Sequence, residues 1–280
     1  MGLLDGKVVI VTGATSGIGE RIARHFAEEG ASVVGAGRRE TEGAVLAQHT
    51  GATFLRTDVT LEDEVRRLVA FTIERFGQLD RMINNAGSSA PDTSIAEFDM
   101  ACFNRVMSVN IRGVVLGMKH AAAAMLPRGA GSIVNISSVA ASQGGFTGHA
   151  YTASKAAVLD VTRSAATELG GKGIRVNAIS PGGIVTGIFG KNAGLEGSQA
   201  DRVSDAVRDV FSKLQPVQRA GETLDIAHAA AFLASDMSGF VNGHAFVVDG
   251  GLSVAAMGWE KGLALRANLN ERVKMAAARG

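Results

Sequence analysis

Seven short apolar runs alternate along the chain with longer segments in which apolar residues recur at helical spacing. The runs fit buried strands over 7–12, 32–36, 53–55, 81–84, 132–137, 175–179 and 245–248. Helical spacing covers 17–29, 41–49, 62–76, 99–125, 151–169 and 223–233. Because each parallel return needs a crossover of about a dozen residues or more, the alternation predicts a parallel sheet with helices on both faces.

No linker or internal repeat interrupts this alternation, so the sequence predicts one doubly wound α/β domain over residues 1–251. Within it, residues 182–215 begin glycine-rich and without clear periodicity after a predicted strand. Irregular stretches this long are usually functional or disordered, so we expect a substrate lid rather than a plain surface excursion. Residues 252–280 form a C-terminal extension, for which docking on a neighbouring subunit and a frayed terminal helix are equal alternatives.

Composition fits a well-cored globular protein, with 46% hydrophobic residues and 4 prolines. The 28 basic and 27 acidic residues leave a net charge of +1, which predicts neither a nucleic-acid nor a membrane partner. The single cysteine, Cys102, cannot form an internal disulfide, and the chain starts without a secretory signal pattern, so we expect a cytoplasmic protein. The six histidines are scattered, and no metal site is expected.

Glycines cluster where the first predicted strand meets the first predicted helix, in the segment TGATSGIG at 12–19. Without a Cβ, such a turn lets backbone N–H groups and the positive end of a helix approach a pyrophosphate. The alternative is a tight turn whose glycines serve packing alone. The strand before the loop and the helix after it favour nucleotide binding.

Several further motifs occur in a fixed order along the chain. They are Asp58 after the third strand, NNAG at 84–87, Asn110, Ser138, YTASK at 151–155 and PG at 181–182. Together with the glycine-rich loop, these motifs closely resemble those of the short-chain dehydrogenase/reductase family over about residues 5–251. The resemblance implies a Rossmann-like, seven-stranded parallel sheet. It also implies an NAD(P)-dependent oxidoreductase that transfers a hydride between the nicotinamide and a secondary alcohol or ketone.

Tyr151 and Lys155 lie four residues apart on a predicted helix, so their side chains share one face. A nearby ammonium favours the phenolate, so we expect Lys155 to lower the pKa of Tyr151, which then serves as general acid and base. Ser138 follows the fifth strand, where its hydroxyl would stabilise the substrate oxygen. The resemblance adds that Lys155 holds the nicotinamide ribose and that Asn110 steadies a water on the proton path.

The resemblance also implies a cofactor site formed by Gly13, Thr15, Ser16, Gly17, Ile18, Gly19, Arg38, Asp58, Val59, Asn85, Ala86, Gly87, Tyr151, Lys155, Pro181, Ile184 and Thr186. After the second strand, Gly37 stands where NAD-preferring relatives carry aspartate, and Arg38 follows as a candidate clamp for a 2′-phosphate. The pattern favours NADP(H) over NAD(H). Glu40 reaching back toward the ribose is the alternative.

The expected substrate is a small apolar or cyclic alcohol or ketone. Its predicted wall is formed by Gly144, Gly145, Phe146, His149, Ile188, Phe189 and Phe211. The resemblance implies a homo-oligomer, a tetramer or dimer, with 99–125 and 151–169 as contact helices. Two other functions stay open at this point: a non-catalytic NAD(P)-binding regulatory protein, and an epimerase or dehydratase on the same fold.

Overall fold

Seven parallel strands form one sheet in the order β3-β2-β1-β4-β5-β6-β7. They are β1 Val8–Thr12, β2 Ser32–Gly37, β3 Thr53–Arg56, β4 Arg81–Asn84, β5 Gly131–Ile136, β6 Ile174–Pro181 and β7 Ala245–Val248. The structure, a computed structural model, describes residues 2–89, 91–189, 204–255 and 259–277. The order steps outward in both directions from β1, which confirms the predicted Rossmann-like, doubly wound fold.

The helices are α1 Gly17–Glu28, α2 Glu40–Thr50, α3 Glu62–Phe76, α4 Met100–Met107, α5 Gly113–Met125, α6 His149–Gly170, α7 Ser204–Leu214, α8 Thr223–Ala234 and α9 Trp259–Ala277. One core lies between the sheet and α1 and α8 and includes Val9 and Phe26. A second lies on the opposite face against α3, α5 and α6 and includes Ile10 and Val158. Both faces of the sheet are thus buried, which explains why the strands are continuous apolar runs.

The segment 99–125 is not one regular α-helix. Asp99 caps α4 by accepting from the Ala101 amide at 2.8 Å, and a π-helical turn, Ser108–Arg112, separates α4 from α5. Such a turn inserts an extra residue into the helix. Asn110, within this turn, is fully buried.

Helix α7 lies in a segment for which the apolar pattern predicted no separate element, and α9 lies in the extension, where a terminal helix was one of the two alternatives. Residues 190–203, the centre of the predicted lid, lie outside the described residues. The extension contains the helix α9, in which Leu263, Leu265 and Leu269 are exposed. Its docking on a neighbouring subunit stays a prediction. None of the helices described here combines the length and the apolar character that crossing a bilayer requires.

Candidate active site

A cavity of about 880 Å³ opens at the carboxyl ends of the strands, where open parallel sheets bind ligands. This volume is within the range of pockets that enclose small organic ligands. The predicted cofactor residues all line the cavity except Gly19, Pro181 and Ile184. Pro181 ends β6, and the side chain of Ile184 is buried in the core beside α8.

The glycine-rich loop closes one end of this cavity. Gly13 and Gly17 have φ angles of +67° and +57°, which residues with side chains rarely adopt. A Cβ on Gly19 would collide with the backbone of Gly13, so Gly19 serves the close packing of the loop rather than contact with a ligand. Ser16 precedes α1 without a side-chain capping bond, so amides of the first helical turn are left for another acceptor. The loop therefore fits a pyrophosphate.

Two arginines follow β2 and differ in their contacts. Arg38 is exposed, lines the cavity, and makes no ion pair with any residue in the described ranges. Arg39, which the sequence reasoning did not assign, donates to the Thr15 carbonyl at 2.7 Å and pairs with Glu42 at 3.1 Å. Both arginines line the cavity, but Arg39 braces the phosphate loop, while Arg38 is left as the available cation. The adjacent arginines in the sequence indicated a basic site after β2. Which of the two is available to a ligand depends on the tertiary packing.

Asp58, at the loop after β3, borders the same end of the cavity. Its carboxylate accepts from the Thr60 amide at 3.0 Å and from the Thr60 hydroxyl at 2.8 Å. Burial acts to raise the pKa of Asp58, but these hydrogen bonds and the positive charges of Arg38 and Arg56 lower it overall. The carboxylate is thus ionised at neutral pH and oriented by the turn that follows it.

Tyr151 and Lys155 occupy successive turns near the start of α6. Lys155 Nζ lies 5.5 Å from the centre of the Tyr151 ring and donates to the Ile136 carbonyl at 2.8 Å. Ser138, two residues after β5, is hydrogen-bonded to Tyr151 and also accepts from the Ala140 amide at 3.2 Å. Tyr151 and Lys155 therefore border the cavity, while Ser138 does not line it and is joined to the site through its hydrogen bond with Tyr151.

Burial has opposite effects on these two titrating groups because it disfavours whichever form is charged. It raises the pKa of Tyr151 to about 12, against a smaller lowering effect of the hydrogen bond with Ser138. It lowers the pKa of Lys155 to about 8. Without a ligand the protein therefore holds Tyr151 as a neutral phenol at physiological pH. The activation of Tyr151 by Lys155 stays a prediction.

Asn110 does not line the cavity but lies directly behind it. Its Oδ1 accepts from the Ser88 amide at 2.7 Å, and its Nδ2 donates to the Ser88 carbonyl at 2.9 Å. A Cβ on Gly87 would lie 3.5 Å from Asn110 Oδ1 and 3.6 Å from Lys155 Nζ. Asn110 and Lys155 therefore flank the same glycine, although they belong to different helical segments, the π-helical turn and α6.

The substrate wall differs in part from the predicted one. Of the predicted wall residues, only Ile188 borders the cavity, while Phe189 and Phe211 pack against each other with ring centres 5.1 Å apart. Phe146 and His149 are exposed. The wall instead includes residues that the sequence reasoning did not assign: Ser88, Ser89, Pro91, Arg105 and Val109. They follow β4 or lie near Asn110, but no residue pattern indicated which of them face the site.

Comparison with known proteins gives the same class of enzyme. A family model described as enoyl-(acyl carrier protein) reductase matches residues 13–253. (+)-Borneol dehydrogenase 2 from Salvia officinalis is 44% identical over 261 residues, covering 89% of this chain and 90% of that protein. Short-chain dehydrogenase reductase ATA1 from Arabidopsis thaliana is 44% identical over 254 residues, covering 89% and 93%.

A crystal structure described as ribose-5-phosphate isomerase from Brucella melitensis 16M has a TM-score of 0.82 and 31% identity, covering 90% of this chain and 94% of that one. The shared fold and the matched motifs confirm the predicted class of alcohol dehydrogenases and ketoreductases, which implies a nicotinamide cofactor, NAD or NADP. The chain belongs to the short-chain dehydrogenase/reductase family.

Proposed function

We propose that this protein transfers a hydride between NADP(H) and a secondary alcohol or its ketone. One observation carries the proposal: Tyr151, hydrogen-bonded to Ser138, and Lys155 border a cavity whose other end is a glycine-rich loop fitted to a pyrophosphate. An acid-base pair beside a dinucleotide cradle is the arrangement that carbonyl reduction requires. A regulatory protein without turnover would not need this polar cluster.

The nicotinamide, when bound, supplies or accepts the hydride. During reduction Tyr151 donates its phenolic proton to the substrate oxygen, and during oxidation it takes that proton back. The Ser138 hydroxyl, hydrogen-bonded to Tyr151, stabilises the same oxygen as negative charge develops on it. Lys155 holds the cofactor ribose and passes protons between Tyr151 and a water steadied near Asn110, since Lys155 Nζ and Asn110 Oδ1 flank Gly87.

The preference for NADP over NAD rests on the end of β2. The exposed side chain of Arg38 borders the cavity near Asp58. A planar guanidinium can bind a phosphate there through two parallel hydrogen bonds. A Cβ on Gly37 would lie 3.0 Å from Thr15 Cγ2, so an aspartate there would crowd the phosphate loop. An acidic side chain at the position that would serve NAD recognition therefore requires Thr15 to move by a few tenths of an ångström.

A cyclic or otherwise compact, largely apolar substrate fits the wall formed by Ile188, Pro91 and Val109. Borneol, for which one relative is named, is such an alcohol. We further propose a homo-oligomer, a tetramer or dimer, that uses α4–α5 and α6. A cytoplasmic location is part of the proposal, since the lone Cys102 is a buried free thiol.

The first experiment titrates the purified protein with NADPH and with NADH, and follows ketone-dependent loss of absorbance at saturating cofactor. We expect tighter binding of NADPH. Arg38→Ala should weaken NADPH binding by about tenfold or more while leaving NADH binding within about twofold. Arg66→Ala, which removes an exposed arginine of α3, is the matched control. Equal affinities for the two cofactors in the wild type would overturn the preference for NADP but not the proposed oxidoreductase reaction.

A second candidate function is an isomerisation or epimerisation that returns the cofactor to its starting state. The observation in its favour is the description of a structure that is 31% identical as an isomerase. Product analysis separates the two, because net ketone reduction consumes one NADPH for each alcohol formed. Conversion of a substrate without any net change in NADPH would refute the proposed oxidoreductase reaction.

A further inference from the structure

Ser154 lies between the two catalytic candidates of α6 and is fully buried. Its hydroxyl donates to the Tyr151 carbonyl at 2.7 Å and accepts from Asn110 Nδ2 at 3.0 Å. These two bonds join the turn that carries Tyr151 and Lys155 to the π-helical turn that carries Asn110. Ser154 is therefore the direct polar link between two parts of the site that are distant in sequence.

The partners of the Asn110 amide leave it a single orientation. The Ser88 amide can only donate and reaches Oδ1, whereas the Ser88 carbonyl can only accept and reaches Nδ2. A serine hydroxyl has one proton, and Ser154 uses it on the Tyr151 carbonyl. Ser154 must then accept from the second Nδ2 proton, which satisfies both donors of this buried amide.

We propose that Ser154 is a positioning residue for the reaction. It fixes the distance between the Asn110 side chain and the turn of α6 that carries Tyr151 and Lys155. This inference rests on the proposed function, because it assigns Ser154 a role through those residues. The link matters because Asn110 Oδ1 and Lys155 Nζ lie on the same side of Gly87, so a shift of the π-helical turn changes the position of Asn110 relative to Lys155.

The same helix contains a matched control. Thr162 is also buried, its hydroxyl donates to the Val158 carbonyl at 2.6 Å, and it accepts from Asn135 Nδ2 at 2.9 Å. The pattern equals that of Ser154: one bond to the carbonyl of its own helix and one from a buried asparagine. Asn135 belongs to β5 in the core and does not border the cavity. Removal of either hydroxyl should therefore destabilise the fold similarly, but only one should affect the reaction.

The experiment compares Ser154→Ala with Thr162→Val in full-length protein. We expect both to lower the thermal midpoint, since each leaves a buried amide proton without an acceptor. Ser154→Ala should also lower kcat about tenfold with KM within about twofold, and move the acid limb of alcohol oxidation to higher pH. Thr162→Val should keep the wild-type kcat and pH profile. Equal kcat and equal pH profiles in both variants would overturn the proposal.

Tyr151 is the single tyrosine of the chain, so labelling with tyrosine enriched in ¹³C at Cζ gives one NMR signal from the site itself. We expect this signal to shift in Ser154→Ala and to stay in place in Thr162→Val, and an unchanged signal in both would count against the positioning role. The position of this NMR signal does not depend on turnover. If the wild type were inactive, the proposed function would be refuted, but the effect of Ser154 on Tyr151 could still be measured. If Ser154→Ala does not fold, Ser154→Cys, which has similar size and weak hydrogen bonding, replaces it.

Discussion

The two ends of the sheet differ in whether their hydrogen-bond donors have partners within the protein. At the carboxyl end, Arg38 and the first turn of α1 present donors to an open cavity. At the amino end, Arg81 is almost completely buried and donates to Asp236 at 2.8 Å and to the Ala234 carbonyl. The sheet thus has donors available for a ligand at its carboxyl edge and donors already satisfied by the protein at its amino edge.

The amino end is closed by a network of charged and backbone groups. Arg175 donates to the Leu233 and Ser235 carbonyls at 3.0 and 3.1 Å, which caps the carboxyl end of α8. Asp80 accepts from the Val8 amide at 2.8 Å and from Arg128 at 3.0 Å. The groups that stabilise the fold thus lie at the amino end of the sheet, and the groups that would bind and convert a ligand lie at its carboxyl end. Substitutions at the two ends should therefore have different effects.

The largest effect is expected at the carboxyl end. Tyr151→Phe keeps the ring but removes the proton donor, so kcat should fall by about 10²- to 10⁴-fold. NADPH affinity should change little, and the free energy of unfolding should stay within about 1 kcal/mol of the wild type. Steady-state kinetics and cofactor titration measure these quantities. A kcat within threefold of the wild type would exclude Tyr151 as the general acid.

At the amino end the expected effect is on stability alone. Arg81→Ala removes a buried donor from the carboxyl end of α8 and should lower the free energy of unfolding by roughly 2–3 kcal/mol. Much of its partner Asp236 is exposed, which limits the loss. In the ion pair between Arg66 and Asp63 both side chains are exposed, so Arg66→Ala should change the free energy of unfolding by less than about 0.5 kcal/mol. Urea unfolding measures both, and a kcat reduced in Arg81→Ala would contradict this difference between the two ends.

Lys155 should affect both stability and the reaction. Burial of its ammonium group lowers the stability of the fold, while the proposed reaction requires the group at the cavity. With a pKa of about 8, the folded protein binds fewer protons than the unfolded chain between about pH 8 and 10.5, so this group makes stability rise with pH there. At pH 7 its burial costs about 3 kcal/mol. Lys155→Met loses the bond to the Ile136 carbonyl, worth about 1 kcal/mol, and should still gain roughly 2 kcal/mol.

Urea unfolding of Lys155→Met at pH 7 and at pH 10.5 checks this sign. The variant should be more stable than the wild type at pH 7, and the advantage should shrink toward pH 10.5, where the lysine is neutral in the folded protein and loses its charge in the unfolded chain. Turnover should be lost at both values. A variant less stable than the wild type at pH 7 would mean that the burial of Lys155 is not costly.

Much of the architecture was readable because it depends on local pattern. Strands buried on both faces must be apolar throughout, so all seven were found with bounds that differ by two residues or fewer at each end. The π-helical turn at Asn110 was not found, because one extra residue leaves the apolar spacing of 99–125 almost unchanged. The helix α7 follows the glycine-rich segment and was taken as part of the lid.

The sequence by itself determined the sheet, the glycine-rich turn and the placement of Tyr151 and Lys155 on one helix face, since each follows from residues within a few positions of one another. Only the tertiary structure decided that Arg39 braces Thr15 while Arg38 is left as the available cation, and that Ser154 joins Asn110 to α6. It also decided the lowered pKa of Lys155, because desolvation depends on everything packed around the ammonium group. Contacts of this kind join residues 24 and 44 positions apart, and folding alone brings them within hydrogen-bonding distance.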